Sequence, residues 1–171
     1  MAGILSLSDT IAHDSASKAN LDITYAHAAV HRDIIAGLSV RSSGNTQLLF
    51  RTPADPVEIH LLFAISAGGA IEYNFVEDVT TTVDGTPVTT YRLNRKSEKT
   101  TQSLAFLDPT YSGGDTLLAG SMGGGPGQGV TDSVALHTDA EFVLKPATDY
   151  VIEVTGSQDV TFAAEWYEVG V

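Results

Sequence analysis

Val57-Glu58-Ile59-His60-Leu61-Leu62-Phe63-Ala64-Ile65-Ser66 alternates with a period of two. Val57, Ile59, Leu61, Phe63 and Ile65 fall on one side, and Glu58, His60, Leu62, Ala64 and Ser66 on the other. Successive side chains of an extended chain point to opposite faces. The stretch therefore predicts a strand with one face in a core and the other mixed or covered. Ala67-Gly68-Gly69 reads as a turn, and residues 70–77 return with Ile71, Tyr73 and Phe75 on one face. The pair reads as a β-hairpin.

The same grammar extends in both directions. Residues 46–51 form a short apolar run, and Asp84-Gly85 inside residues 83–92 is a tight-turn signal. Residues 102–107 and 115–121 read as two further strands, punctuated by Asp108-Pro109 and Gly113-Gly114. Residues 120–129 read as a loop, because glycine at that density carries too much backbone entropy for an element interior. Toward the C-terminus, residues 141–144, 150–155 and 160–168 read as a three-strand meander. Tyr150, Ile152 and Val154 share one face of it, as do Val160, Phe162, Ala164 and Trp166. About eight to ten short strands with turn signals every 8–12 residues mark a sandwich or barrel. No helical pattern separates the strands, which argues against a βαβ architecture.

Residues 1–36 differ: they are Ala- and His-rich, with Ala19, Ile23, Ala26, Val30 and Ile34 near helical spacing. They read as an N-terminal arm or short helix ahead of a β domain at 37–171. The expected fold is all-β, an antiparallel β-sandwich of jelly-roll type. The chain of 171 residues fits one such domain and has no cysteine, so it carries no disulfide or thiolate chemistry.

Nine basic and 21 acidic residues give a net charge of −12. Such a chain repels phosphate backbones and anionic lipid surfaces, so neither nucleic acid nor membrane is an expected partner. No apolar run is long enough to span a bilayer, and Asp9 follows the start too closely for a signal peptide.

Motifs that would carry chemistry are missing. His27 and His31 are four apart, one helical turn, but Ala28 stands where a metalloprotease helix needs its glutamate, so no metal site is expected. Carboxylates are plentiful but scattered, as chance pairs are in an acidic chain, and a glycosidase pair is the weakest of the readings. The run from Gly123 to Gly129, which includes Gly124 and Gly127, lacks the closing Lys-Ser/Thr of a phosphate loop. A nucleophile elbow is also absent. No catalytic residue and no cofactor is expected. Basic residues cluster once, at Arg92, Arg95, Lys96 and Lys99, a segment suited to an acidic neighbouring surface. Trp166 belongs to the core, which turns Tyr167 outward, where it would stack on a sugar or pack on a partner.

Three stretches resemble a group of small structural proteins of tailed bacteriophages. The first is His60-Leu61-Leu62-Phe63-Ala64-Ile65-Ser66-Ala67-Gly68-Gly69-Ala70, with Glu72 and Glu77-Asp78 after it. The second is Asn94-Arg95, a Ser/Thr-rich strand and Asp108-Pro109-Thr110. The third is Leu144-Lys145-Pro146 with Thr148, Tyr150, Ile152 and Val154-Thr155, ending in Ala163-Ala164-Glu165-Trp166-Tyr167-Glu168. The similarity covers roughly residues 57–168. It implies a virion component without enzymatic activity, a capsid decoration (cement) protein assembled in the bacterial host cytoplasm. Its implied partners are the major capsid protein of the same phage and copies of itself, as a trimer. A tail or head-fibre module that binds a receptor or glycan through Tyr167 or Tyr111 is the alternative. Under the decoration reading, His27, His31, Arg92, Arg95, Lys96, Gly124, Gly127 and Tyr167 are the expected partner contacts.

Overall fold

The computed structural model describes residues 35–96, 98–122, 133–134, 141–156 and 159–169. Among the described residues, fourteen strands run in chain order. The first four are β1 (Ile35–Ser43), β2 (Thr46–Arg51), β3 (Glu58–Ala67) and β4 (Ile71–Glu77). An excursion follows with β5 (Thr80–Val83), β6 (Thr86–Pro87), β7 (Tyr91–Arg92), β8 (Leu104–Leu107) and β9 (Thr110–Ser112). The remainder are β10 (Asp115–Met122), β11 (Ser133–Val134), β12 (Phe142–Leu144), β13 (Asp149–Gly156) and β14 (Asp159–Val169).

These strands form an antiparallel β-sandwich. One sheet has the order β11-β3-β14-β1-β7, with β12 also on β3, and the other runs β10-β4-β13-β2-β8-β6. Consecutive strands lie in opposite sheets: β1 then β2, β3 then β4, β13 then β14. This is the winding of a double Greek-key jelly roll. It corrects two expectations. Residues 57–77 are not a hairpin, because Gly68 and Gly69 carry the chain across the sandwich from β3 to β4. Residues 141–168 are not a meander either, since β12 and β14 flank β3 in one sheet while β13 sits in the other. Alternation sets which side chains face inward but not which strand lies alongside. Both sheets need one buried face, so the same pattern serves either arrangement.

The core is the interleaving of the two inner faces. Ile59, Leu61, Phe63 and Ile65 of β3 and Phe162, Ala164 and Trp166 of β14 meet Leu48, Phe50, Phe75, Tyr150 and Ile152 of the opposite sheet, all buried. Trp166 packs edge-on against Phe50 at 4.9 Å between ring centroids, and Phe63 against Phe75 at 5.0 Å. Both contacts bridge the sheets. The second sheet is also covered outside. The β5–β9 ribbon lies there, and Leu49, Val76, Val79 and Val151 are buried with Phe106 and Tyr111 packed on them. This double coverage explains the unbroken apolar run in β2, where Leu48 faces the core and Leu49 faces the ribbon.

The excursion at residues 78–114 also extends both sheets at one end, β7 beside β1 and β8 beside β2. Its turn at Gly85 has φ +90°, and a Cβ there would lie 2.1 Å from the Leu107 carbonyl oxygen, so only glycine fits. Gly120 departs from the expected loop. It sits inside β10 opposite Tyr73, whose hydroxyl occupies the space a Cβ would take. Residues 123–129 lie outside the described residues, as do residues 1–34 of the expected arm. Strand β1 opens at Ile35, and Ala36 is already in the core.

Phe75 touches rings from both sheets, so Phe75→Ala is expected to cost about 3–5 kcal/mol. Urea unfolding followed by tryptophan fluorescence will measure it.

Candidate partner-contact surface

The basic segment begins on β7. Tyr91 pairs with Gly37 and Arg92 with Ala36. Ala36 is an inner-face residue, so its register neighbour Arg92 also turns inward. Arg92 is 6% exposed, and its Nη2 donates to Glu168 Oε2 at 2.6 Å and to the Thr100 carbonyl at 2.5 Å. Its head group is thus held inside the chain, by Glu168 and the Thr100 carbonyl. Arg95 and Lys96 are exposed. The Arg95 guanidinium sits 5.8 Å from the Tyr91 ring centroid, which places it on the outer face of the β3-β14-β1-β7 sheet. An open cleft of about 300 Å³ lies beside it, lined by Thr90, Arg92, Arg95, Lys99, Thr100 and Thr101 among others.

Glu168 is the residue that sequence reading missed. It is 0% exposed at the inner end of β14. Its carboxylate accepts from the backbone N–H groups of Gln102 (2.9 Å) and Ser103 (2.9 Å), the Ser103 hydroxyl (3.0 Å) and the Trp166 indole (3.3 Å), besides Arg92. A buried charge is costly unless it is paired and hydrogen-bonded. Here both carboxylate oxygens are engaged, by donors that come mostly from the excursion. The one available signal was position: Glu168 continues the inward series Phe162, Ala164, Trp166.

Tyr167 points outward as expected but is half-buried. Its ring stacks on His60 at 4.5 Å between centroids, and its hydroxyl donates to Glu141 Oε1. Burial, and then Glu141, push the phenol above its ordinary range. His60 has a carboxylate on each side, Glu141 at Nδ1 and Glu58 at Nε2 (2.6 Å). Tyr111 is half-buried against the outer cluster, and its hydroxyl donates to Glu153. Neither tyrosine stands proud as a platform for a sugar ring. His27, His31, Gly124 and Gly127 lie outside the described residues.

The stretch from Leu144 to Tyr150 carries much of the resemblance and is explained by local structure. Leu144 fills the core. The Lys145 backbone N–H donates to the Tyr150 hydroxyl at 2.8 Å, which donates in turn to Glu77 Oε2 at 2.8 Å. Lys145 Nζ reaches the other Glu77 oxygen at 2.6 Å. The Thr148 backbone N–H donates to Thr52 Oγ1 at 2.9 Å. Asp149 accepts both arms of the Arg51 fork, at 2.6 and 2.8 Å, and the Thr81 hydroxyl at 2.6 Å. These groups tie β4, β2 and the ribbon to β13. Among the described residues, no group of three or more His, Asp or Glu side chains is placed to hold a metal ion.

No protein-family model matches the chain, and no curated protein matches it in sequence.

Two outcomes follow from this electrostatic scaffold. Glu168→Ala leaves Arg92 buried without its carboxylate and the Gln102, Ser103 and Trp166 donors without an acceptor, and is expected to cost about 3–5 kcal/mol in urea unfolding. The second concerns acid. The Lys145 ammonium and then the Tyr150 hydroxyl hold the Glu77 carboxyl below its ordinary 4.5. Burial raises Asp149, but the Arg51 fork and the Thr81 hydroxyl outweigh it and hold the group below 3.8. Both carboxylates are more acidic folded than unfolded, so their stabilisation is full above the unfolded values and is lost as pH falls through the folded ones. Thermal unfolding between pH 7 and pH 2 should show this acid limb, flattened in Glu77→Gln and Asp149→Asn.

Proposed function

We propose that this chain is a structural protein of a bacteriophage virion, a decoration protein that binds the outside of the head, stabilises it and acts without catalysis. The observation that carries the reading is where the resemblance residues sit. Tyr150, Trp166 and Glu168 are buried, and Lys145 and Asp108 close inter-strand hydrogen bonds. The residues on which the resemblance rests therefore form a scaffold, which suits a protein whose task is to present a rigid surface.

Two further features support the reading. Jelly rolls recur in viral capsid proteins as well as in lectins, an analogy of fold and not of site. The net charge of −12 keeps a free subunit apart from the packaged genome and in solution before it meets the capsid lattice. Binding only to the assembled lattice stabilises the shell by mass action. The expected partners are the major capsid protein and further copies of this chain. The exposed contact residues are Arg95 and Lys96, with residues 1–34 as the second point of attachment.

Cryo-electron microscopy of the particle that encodes this chain tests the proposal. Density on the head lattice supports it. Density confined to the tail or a fibre moves the function to adsorption. Removal of residues 2–34, which leaves β1 whole, is expected to preserve the unfolding midpoint and to lower capsid binding at least tenfold in a co-sedimentation assay.

A further inference from the structure

The outer face of the β11-β3-β14-β1-β7 sheet has no covering layer among the described residues, unlike the other sheet. Its side chains form two rows across the strands. One runs Val143, His60, Tyr167, Ile35, with Leu93 joined by its backbone hydrogen bond to Ile35. The next runs Leu62, Glu165, Gly37, Tyr91. Four large apolar side chains in these rows are exposed: Val143 (60%), Leu93 (41%), Leu62 (37%) and Tyr91 (36%).

Charge is sorted across the same face. Glu58 and Glu141 lie at the β3–β12 side, and Glu165 lies on β14. Arg95 and Lys96 lie at the β7 side, Arg95 over the Tyr91 ring. Three inter-strand steps separate the two sides, roughly 14 Å. A face whose acidic groups lie on the β12, β3 and β14 half and whose basic groups lie at the β7 side is complementary to itself after rotation by 180° about an axis parallel to the strands.

From this we infer that a second copy of this chain covers the face in a two-fold dimer. The axis runs between β14 and β1. Rotation about it keeps each row in place and exchanges its ends. Leu62 then lies opposite Tyr91 of the other copy, Tyr167 opposite Ile35, and Glu165 opposite the bare backbone of Gly37. Glu58 comes within reach of the other copy's Arg95 and Lys96. Such isologous contacts close on themselves, so the assembly stops at two. The patch is about four strands wide and seven residues long, on the order of 450 Å² per copy. That is below the standard size for stable association, so the dimer is a weak, transient one and weakens further as salt screens the charge pairs. This pairing differs from the trimer implied by the sequence resemblance, and it stands whether or not the protein binds a capsid.

The absence of cysteine from the chain makes the test clean. Leu62→Cys and Tyr91→Cys are exposed substitutions in the full-length protein, to be treated with a bis-maleimide spanning about 10 Å. Opposed sheets pack about 10 Å apart, so a mixture of the two single variants should give a covalent dimer. Either variant alone should give little, because like positions lie about 17 Å apart across the axis. The double variant should stop at a covalent dimer. Sedimentation velocity should show concentration-dependent dimerisation of the unmodified protein, weakened at least tenfold by Arg95→Glu with Lys96→Glu. No covalent dimer in the mixture, a ladder of larger species from the double variant, or a monomer at 100 µM in the unmodified protein would each overturn the inference.

Discussion

The two sheets are held together at one end by a carboxylate that water cannot reach. Glu168 sits at the inner end of β14 and collects five donors, three of them from the Gln102–Ser103 segment just before β8 and one from Arg92 on β7. It fixes the part of residues 78–114 that caps β1 and β2. The β5–β9 ribbon is held on the second sheet separately, by Val79 and Tyr111 in the outer apolar cluster and by Thr81 on Asp149. Coulomb attraction in a low-dielectric interior is strong enough to fix a position but repays desolvation only when every lone pair is used. Glu168 meets that condition, which makes it a positioning device for the fold more than a source of net stability.

A second set of polar groups does related work near the surface. Arg51, Asp149 and Thr81 join β2, β13 and the ribbon, while Lys145, Tyr150 and Glu77 join β12, β13 and β4. The two sets lie on either side of β13, so that strand is fixed both by its apolar inner face and by ion pairs at its start. Each sheet has one outer face with a different fate. The second sheet's is buried under the ribbon at Leu49, Val76 and Val151, and the first sheet's is left with exposed valine, leucine and tyrosine. This asymmetry directs attention to the first sheet as the surface that meets other molecules.

Periodicity made the strands legible. The alternation at residues 57–66 and 160–168 placed Phe63, Trp166 and their neighbours in the core correctly, and Asp84-Gly85 marked a turn that the positive φ of Gly85 requires. Partnership between strands was not legible. Arg51 and Asp149 are register neighbours 98 residues apart, and nothing local to either announces the other. Arg92 looked like the other cations of its segment because the sequence does not reveal that it pairs with Ala36, which turns it inward. Tyr167 was read as outward-facing from alternation alone, correctly, but its half-burial depends on His60 and Glu141 arriving from β3 and the approach to β12. Surface chemistry in this chain is set by which strands become neighbours, a property of the whole fold.

The strand order also has a consequence for how the protein is made. β14, the last of the fourteen to leave a ribosome, lies between β1 and β3 in its sheet. Ile35 therefore waits for Tyr167 before its side of the sheet can exist. Among the described residues no hairpin within that sheet is available to nucleate it early, and a topology so rich in distant pairings folds slowly. Two strand edges stay open throughout synthesis, the state in which β chains most readily join the wrong partner. An acidic chain that repels its own copies during that interval has a reason for its charge that is separate from anything the finished molecule binds.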